Sequence, residues 1–256
     1  MHPDHCLNSG RDQHTRENVH LGQNTPPVPA TGASVSSNDA RLAALYEAGD
    51  TLIDGIRAAS KPRIFIISGP SGVGKDSVIE ELRKTFPDAQ YVVTATTRPK
   101  RPGEIDGVHY IFLSKEEFES RMAENDFIEN ALVYDNHYGV PRSPIVQGLE
   151  QGRDVIIKVD VKGAATLRRL IPNTISLFLT PESMPALLER LRDRKTDDPD
   201  VLMKRFTTAT DEIKEVENFD YVVFNEDGQL AAAVEQIVNI ISVEHRKVHQ
   251  PDIELP

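Results

Sequence analysis

The chain has 256 residues, with 29 basic and 40 acidic side chains and a net charge of −11. That balance excludes a broad polyanion-binding surface such as a DNA groove, and 6% aromatic residues without Trp exclude a base-stacking platform for single strands. A single Cys excludes an intrachain disulfide framework. The polar first forty residues and the lack of any long apolar run leave a cytoplasmic chain as the expectation, with one large domain, or one domain plus appendages, from the length.

Residues 1–38 mix His, Asn, Ser, Thr and Gly with Pro26-Pro27-Val28-Pro29, too little apolar content to offset the entropy of ordering, and read as a disordered tail. His2, His5, His14 and His20 lie there near Cys6, at spacings that match no structural zinc site. Asn38 or Asp39 can cap an appended helix over 39–60, with Leu42, Leu45, Leu52, Ile53 and Ile56 on one stripe that needs a partner surface. From Arg63 onward, apolar runs alternate with helical patterns. Strands are expected at 64–68, 91–96, 155–160, 174–180 and 221–225, and helices at 76–86, 161–171, 182–194, 198–218 and 228–248. Such alternation implies a parallel sheet covered on both faces. The interval 98–142 breaks the rhythm with Pro and Gly, two short strands and a capping box at Ser114 and Glu117, and reads as an inserted subdomain.

The strand Ile64–Ser68 runs directly into Gly69-Pro70-Ser71-Gly72-Val73-Gly74-Lys75, and a periodic helix opens at Asp76 and Ser77. This is the strand, Gly-rich loop and helix context of a phosphate-binding P-loop. Backbone N–H groups curl around one anion, the helix N-terminus adds positive partial charge, and Lys75 bridges the outer phosphates of a nucleoside triphosphate. After the lysine, where Ser or Thr ordinarily offers a hydroxyl to Mg²⁺, stands Asp76. Its carboxylate suits the metal directly or through water, and equally suits the first turn of a helix dipole.

Downstream, Thr94-Ala95-Thr96-Thr97-Arg98-Pro99-Lys100-Arg101-Pro102-Gly103-Glu104, then Gly107 and Tyr110, form a dense polar segment. Arg98 and Arg101 between prolines can pinch a phosphate, although alone the segment reads as a solvated basic loop. With the P-loop, and with Tyr138-Gly139, Asp160 with Gly163 and the Arg-rich stretch 190–205 in order, the chain resembles the guanylate kinase family over about residues 62–248.

The resemblance implies a three-layer α/β P-loop kinase fold over 61–250, with a parallel core sheet, a mixed β/α GMP-binding insert at 98–142 and a helical lid at 190–205, residues 251–256 forming a tail. It implies transfer of the γ-phosphoryl group of Mg²⁺-ATP to GMP, with dGMP also expected as an acceptor. Arg98, Arg101, Tyr110 and Tyr138 would hold the GMP phosphate, with Glu104 orienting the arginines or the nucleotide. Thr94, Glu129 and Asp160 would read the base, and Arg190, Arg194 and Arg205 would touch the ATP phosphates. Gly69 through Ser77 would bind ATP, with Asp76 the metal candidate. Without the resemblance, Glu129 reads as an edge-strand surface carboxylate and Asp160 as a helix cap. The expected partners are ATP and GMP, with no nucleic acid and no membrane, and a homo-oligomer is left open.

Two departures stand out. Asp76 replaces the hydroxyl residue, and Lys158 stands where the family usually has an acidic residue two before Asp160. The expectation is that they form a compensated pair. A guanylate-kinase-like binding module and a ribose 1,5-bisphosphate phosphokinase are the competing functions.

Overall fold

The computed structural model describes residues 37–133, 135–192 and 199–256. The expectations for the tail, for its histidines and Cys6, and for Arg194 lie outside the described residues. By internal packing the chain divides into units 1–53 and 54–256. Helix α1 (Ser37–Ala58) runs across that division, and Leu42, Leu45, Leu52, Ile53 and Ile56 are exposed along it.

The second unit holds two sheets. The core sheet is all parallel, with β1 (Ile64–Ser68) at its centre, β7 (Val155–Lys158) and β2 (Gln90–Val92) to one side, and β8 (Ile175–Thr180) and β9 (Tyr221–Phe224) to the other. Because strand side chains alternate between faces, Phe65 and Ile67 of β1 pack with α2 (Lys75–Thr85) and α8 (Leu230–Glu244), through Val78, Leu82, Val234 and Ile237. Ile64 and Ile66 face the other way, onto Ile145 of α4 (Arg142–Glu150) and Ala164 and Leu167 of α5 (Val161–Leu170). Burial on both faces explains the unbroken apolar run Ile64-Phe65-Ile66-Ile67. The closing residues Ile253 and Leu255 also lie against this second core.

The expected strand over 91–96 is two strands in different sheets. β2 ends at Val92, and β3 (Ala95–Thr96) belongs to a four-stranded mixed sheet of order β4-β3-β6-β5, with β4 (Ile111–Phe112), β5 (Phe127–Val133) and β6 (Asn136–Pro141). The physical reason is the crossing at Thr94, whose buried hydroxyl donates to the Lys158 carbonyl at 3.0 Å and takes the chain off the core sheet. Beneath the second sheet, Phe118 of α3 (Lys115–Ala123) stacks on Phe127 with ring centroids 4.6 Å apart, and the expected capping box at Ser114 and Glu117 starts α3. A third layer of contacts joins α6 (Met184–Arg192) to α7 (Pro199–Lys214) through Leu187, Leu191 and Ala209. Among the described residues no helix is long and apolar enough to cross a membrane.

Candidate active site

In open α/β sheets ligands gather at the carboxyl ends of the strands. Here β1 and β7 pair in register with Ile67 beside Lys158, so the chain leaving β1 and the chain leaving β7 emerge together. Gly69 leaves β1 at φ +142°, and a Cβ there would lie 2.2 Å from the Leu179 carbonyl oxygen. Gly74, at φ +94°, backs onto the side chain of Asn225, and a Cβ would meet its amide nitrogen at 2.5 Å. Both positions therefore exclude a side chain on conformation and on space. The Asn225 amide donates to the Val73 carbonyl at 2.8 Å, fixing the back of the loop. The ammonium of Lys75 turns back to donate to the carbonyls of Gly69 and Pro70, at 2.6 and 3.1 Å.

A cavity of about 340 Å³ opens from this loop. Its walls bring together Ser71, Gly72, Gly74, Lys75, Asp76 and Ser77 from the loop and α2 with Thr94, Arg98, Arg101, Tyr110, Glu129, Tyr138 and Asp160. Gly69, Pro70 and Val73 complete the loop behind them, Val73 being fully buried. Arg205 of α7 also lines the cavity and donates to the Ser71 hydroxyl at 3.3 Å. Arg190 is not on the cavity wall. Its guanidinium is held by Asp227, Glu182 and the Asn225 carbonyl, at 2.5, 3.0 and 2.8 Å.

At the far wall, Glu104 accepts from both terminal nitrogens of Arg98, at 2.7 and 3.1 Å, and from the Arg101 amide at 2.7 Å. Glu104 thus orients Arg98 as a planar fork. Burial alone would raise the Glu104 carboxyl, yet the bonds from Arg98 and Arg101 outweigh it and hold it below its ordinary value. The Tyr110 and Tyr138 rings lie edge to face with centroids 6.1 Å apart, and the Arg98 guanidinium lies 5.4 Å from the Tyr110 centroid.

Glu129 is 4% exposed, and its Oε1 is buried with no hydrogen-bond partner. β5 is an edge strand, as the reading of a surface carboxylate supposed, but a register shift between Phe127 and Glu129 accompanies a side chain that points inward. Burial, reinforced by the Asp160 carboxylate, pushes the Glu129 carboxyl up to about 8. Asp160 performs the capping role, accepting from the Gly163 amide at 2.7 Å as N-cap of α5, while still lining the cavity. The expected strand through Asp160 ends at Lys158. The Thr94 hydroxyl hydrogen is committed to the Lys158 carbonyl, so this side chain offers the cavity acceptor capacity rather than a donor.

Glu212 of α7 was missed by sequence reasoning. Its carboxylate lines the cavity and accepts from the Ser71 amide at 3.1 Å. Seven residues separate it from Arg205, which places both on one helix face, and that spacing was the available signal. Burial pulls the Lys75 ammonium below its ordinary value, against the opposing influence of Glu212, Asp76 and Asp160.

Among the described residues no cluster of three or more His, Cys, Asp and Glu forms a metal cage. Mg²⁺ at a nucleotide needs none, since it keeps several waters and takes one or two carboxylates beside substrate phosphates. The Asp76 carboxylate, 49% exposed at the cavity edge, is a hard oxygen donor of that kind, and the residues present fit such an ion.

A model of the guanylate kinase family matches residues 61–244. Guanylate kinase 2, chloroplastic/mitochondrial, of Oryza sativa subsp. japonica is 45% identical over 76% of this chain and 69% of its own. A guanylate kinase of Carboxydothermus hydrogenoformans is 41% identical over 73% of this chain and 91% of its own. The crystal structure of guanylate kinase from Anaplasma phagocytophilum superposes with a TM-score of 0.61 at 30% identity, covering 75% of this chain and 90% of that one. With a P-loop and a polar, arginine-rich wall facing it across one cavity, this chain belongs to the guanylate kinase family.

Proposed function

We propose that this chain transfers the γ-phosphoryl group of ATP to GMP, giving ADP and GDP. The observation that carries the reading is Glu129, a buried carboxylate with an unpartnered oxygen in the cavity wall. Guanine offers adjacent N1–H and N2–H donors that fill a carboxylate fork, whereas adenine presents a lone pair at N1 and leaves the charge unpaired. Asp160 and the acceptor lone pairs of Thr94 would complete the base site. Arg98, oriented by Glu104, would hold the 5′-phosphate with Arg101, Tyr110 and Tyr138.

On the donor side, amides of the loop from Gly69 to Lys75, and Ser77 beyond it, would cradle the triphosphate. Lys75 and Arg205 would neutralise its outer oxygens, with Arg194 contributing as the family resemblance implies and Arg190 only on leaving Asp227 and Glu182. The Asp76 carboxylate would hold Mg²⁺ together with triphosphate oxygens, and the chemistry the ion supplies there is charge neutralisation. The attacking oxygen of GMP is already ionised at neutral pH. No general base is required, and catalysis reduces to alignment and electrostatic stabilisation. The GMP oxygen bonds to the γ-phosphorus as the bond to the β–γ bridging oxygen breaks, and the electron pair leaves with ADP.

The test is ADP formation from Mg²⁺-ATP with GMP, dGMP, AMP, UMP or ribose 1,5-bisphosphate in parallel. Turnover confined to GMP and dGMP is expected. Activity on the sugar bisphosphate alone, or silence on all five, would overturn the reading.

A pH dependence follows from Glu129. Its native carboxyl, at about 8, lies above the ordinary value of 4.5, so the folded chain keeps a proton the unfolded chain has lost. The charge-dependent cost of burying Glu129 is therefore absent below pH 4.5, grows as pH rises, and is complete above about 8. Guanine binding requires the carboxylate, so GMP binding at pH 7.5 should release most of one proton. Calorimetry in buffers of different ionisation enthalpy reads this directly, and no release, or the same release from Glu129→Gln, would show that the carboxyl is not the base reader.

A further inference from the structure

A lysine closing a buried, otherwise apolar strand must find partners for its charge. The Lys158 side chain is 10% exposed, and its ammonium lies 2.5 Å from Asp76 Oδ1, 3.4 Å from the His109 carbonyl and 4.1 Å from the centroid of the Tyr110 ring. Burial works against its charge, but Tyr110 and Asp76 prevail and keep the ammonium above its ordinary value. The expected pair with Asp76 thus exists. It also does more than brace α2 against β7, because the Tyr110 ring that meets Lys158 is the one beside Arg98. Asp76, Lys158, Tyr110 and Arg98 form a continuous row across the cavity, from the phosphate-binding loop to the arginine-rich wall.

We propose that Lys158 is a second catalytic lysine, which exchanges its Asp76 partner for the phosphoryl oxygens lying between ATP and GMP. This rests on the ATP:GMP reading above. In the free protein the pair cancels, so Asp76 does not repel an incoming triphosphate. When both nucleotides are bound, the carboxylate turns toward the metal on ATP. The ammonium, on a flexible stem with three donors, swings to the transferring group while keeping its contact with Tyr110. One negative and one positive charge are redistributed and none is created. Lys75 serves the donor loop, where its ammonium lies on the carbonyls of Gly69 and Pro70. The Lys158 ammonium lies between Asp76 of α2 and Tyr110 of the facing wall.

The experiment compares wild type, Lys158→Met and Asp76→Ser/Lys158→Met by GMP-dependent ADP formation and by calorimetric titration of ATP with and without Mg²⁺. The double variant removes both charges, so no ion is left buried alone, and thermal unfolding checks that each protein is folded. Both variants should lose about 10²-fold in kcat, the scale of losing one preorganised donor, and Lys158→Met, which keeps Asp76 for the metal, should hold Mg²⁺-ATP affinity within about threefold of wild type. Metal-free ATP should bind more than about tenfold more weakly to Lys158→Met, where Asp76 has lost the Lys158 ammonium, and recover in the double variant. A double variant with wild-type kcat would reduce Lys158 to a counter-ion and overturn the proposal. Wild type that binds ATP but forms no ADP with GMP would instead sink the ATP:GMP reading, and this proposal with it.

Discussion

Replacing Lys75 with Ala is expected to lower kcat for GMP phosphorylation by about 10²–10³-fold while leaving KM for GMP within about threefold. The ammonium is one of the fixed cations at the loop, and its alkyl stem follows the loop inward until the charge meets the carbonyls of Gly69 and Pro70. A cation held there is ready to leave those carbonyls for developing charge on the β–γ bridge, and little reorganisation is needed at the moment of transfer. Removing it also leaves Glu212 without the nearby ammonium that opposes its burial, so the carboxylate beside the Ser71 amide should become easier to protonate. The arginine-rich wall proposed for GMP is built from other segments, which is why KM for GMP is the control. A kcat within threefold of wild type would remove Lys75 from the reacting site.

How much of this was legible in the sequence depends on whether the signal was contiguous. The phosphate-binding loop was legible because strand, glycines, lysine and helix follow one another without interruption. The parallel sheet was legible because Ile64–Ser68, Val155–Lys158 and Ile175–Thr180 are dominated by Val, Ile, Leu and Phe without polar alternation, as burial on two faces demands. The pairing of Asp76 with Lys158 was legible as two opposite departures in elements that a P-loop fold makes neighbours. What the sequence concealed depends on tertiary partners. The break at Thr94 follows from a bond to Lys158, 64 residues away, and that bond also decides which way the hydroxyl points. Asn225 and Glu212 reach the loop from strand and helix ends more than 130 residues downstream, the latter through the Ser71 amide. Glu129 sits on an edge strand where a carboxylate is ordinarily solvated, and only the fold reveals that this one is buried.

That burial makes Glu129→Gln the sharpest test of base recognition. Glutamine keeps the size and removes the charge, replacing one acceptor of the fork with an NH₂ donor that faces the guanine N–H groups. Two charge-assisted hydrogen bonds, each worth about 1.5–3 kcal/mol, are lost or reversed, so kcat/KM for GMP should fall by about 10²–10⁴-fold. ATP affinity should not change, because the donor loop is a separate wall of the cavity, and AMP use should change by less than about threefold. A second readout is independent of turnover. Since the cost of burying the carboxylate is absent below pH 4.5 and full above about 8, the variant should gain thermal stability over wild type at pH 8.5 and little at pH 5. An unchanged preference for GMP over AMP would take Glu129 out of base recognition. An unchanged stability difference between the two pH values would mean that the carboxylate is not buried as deeply as its unpartnered oxygen implies.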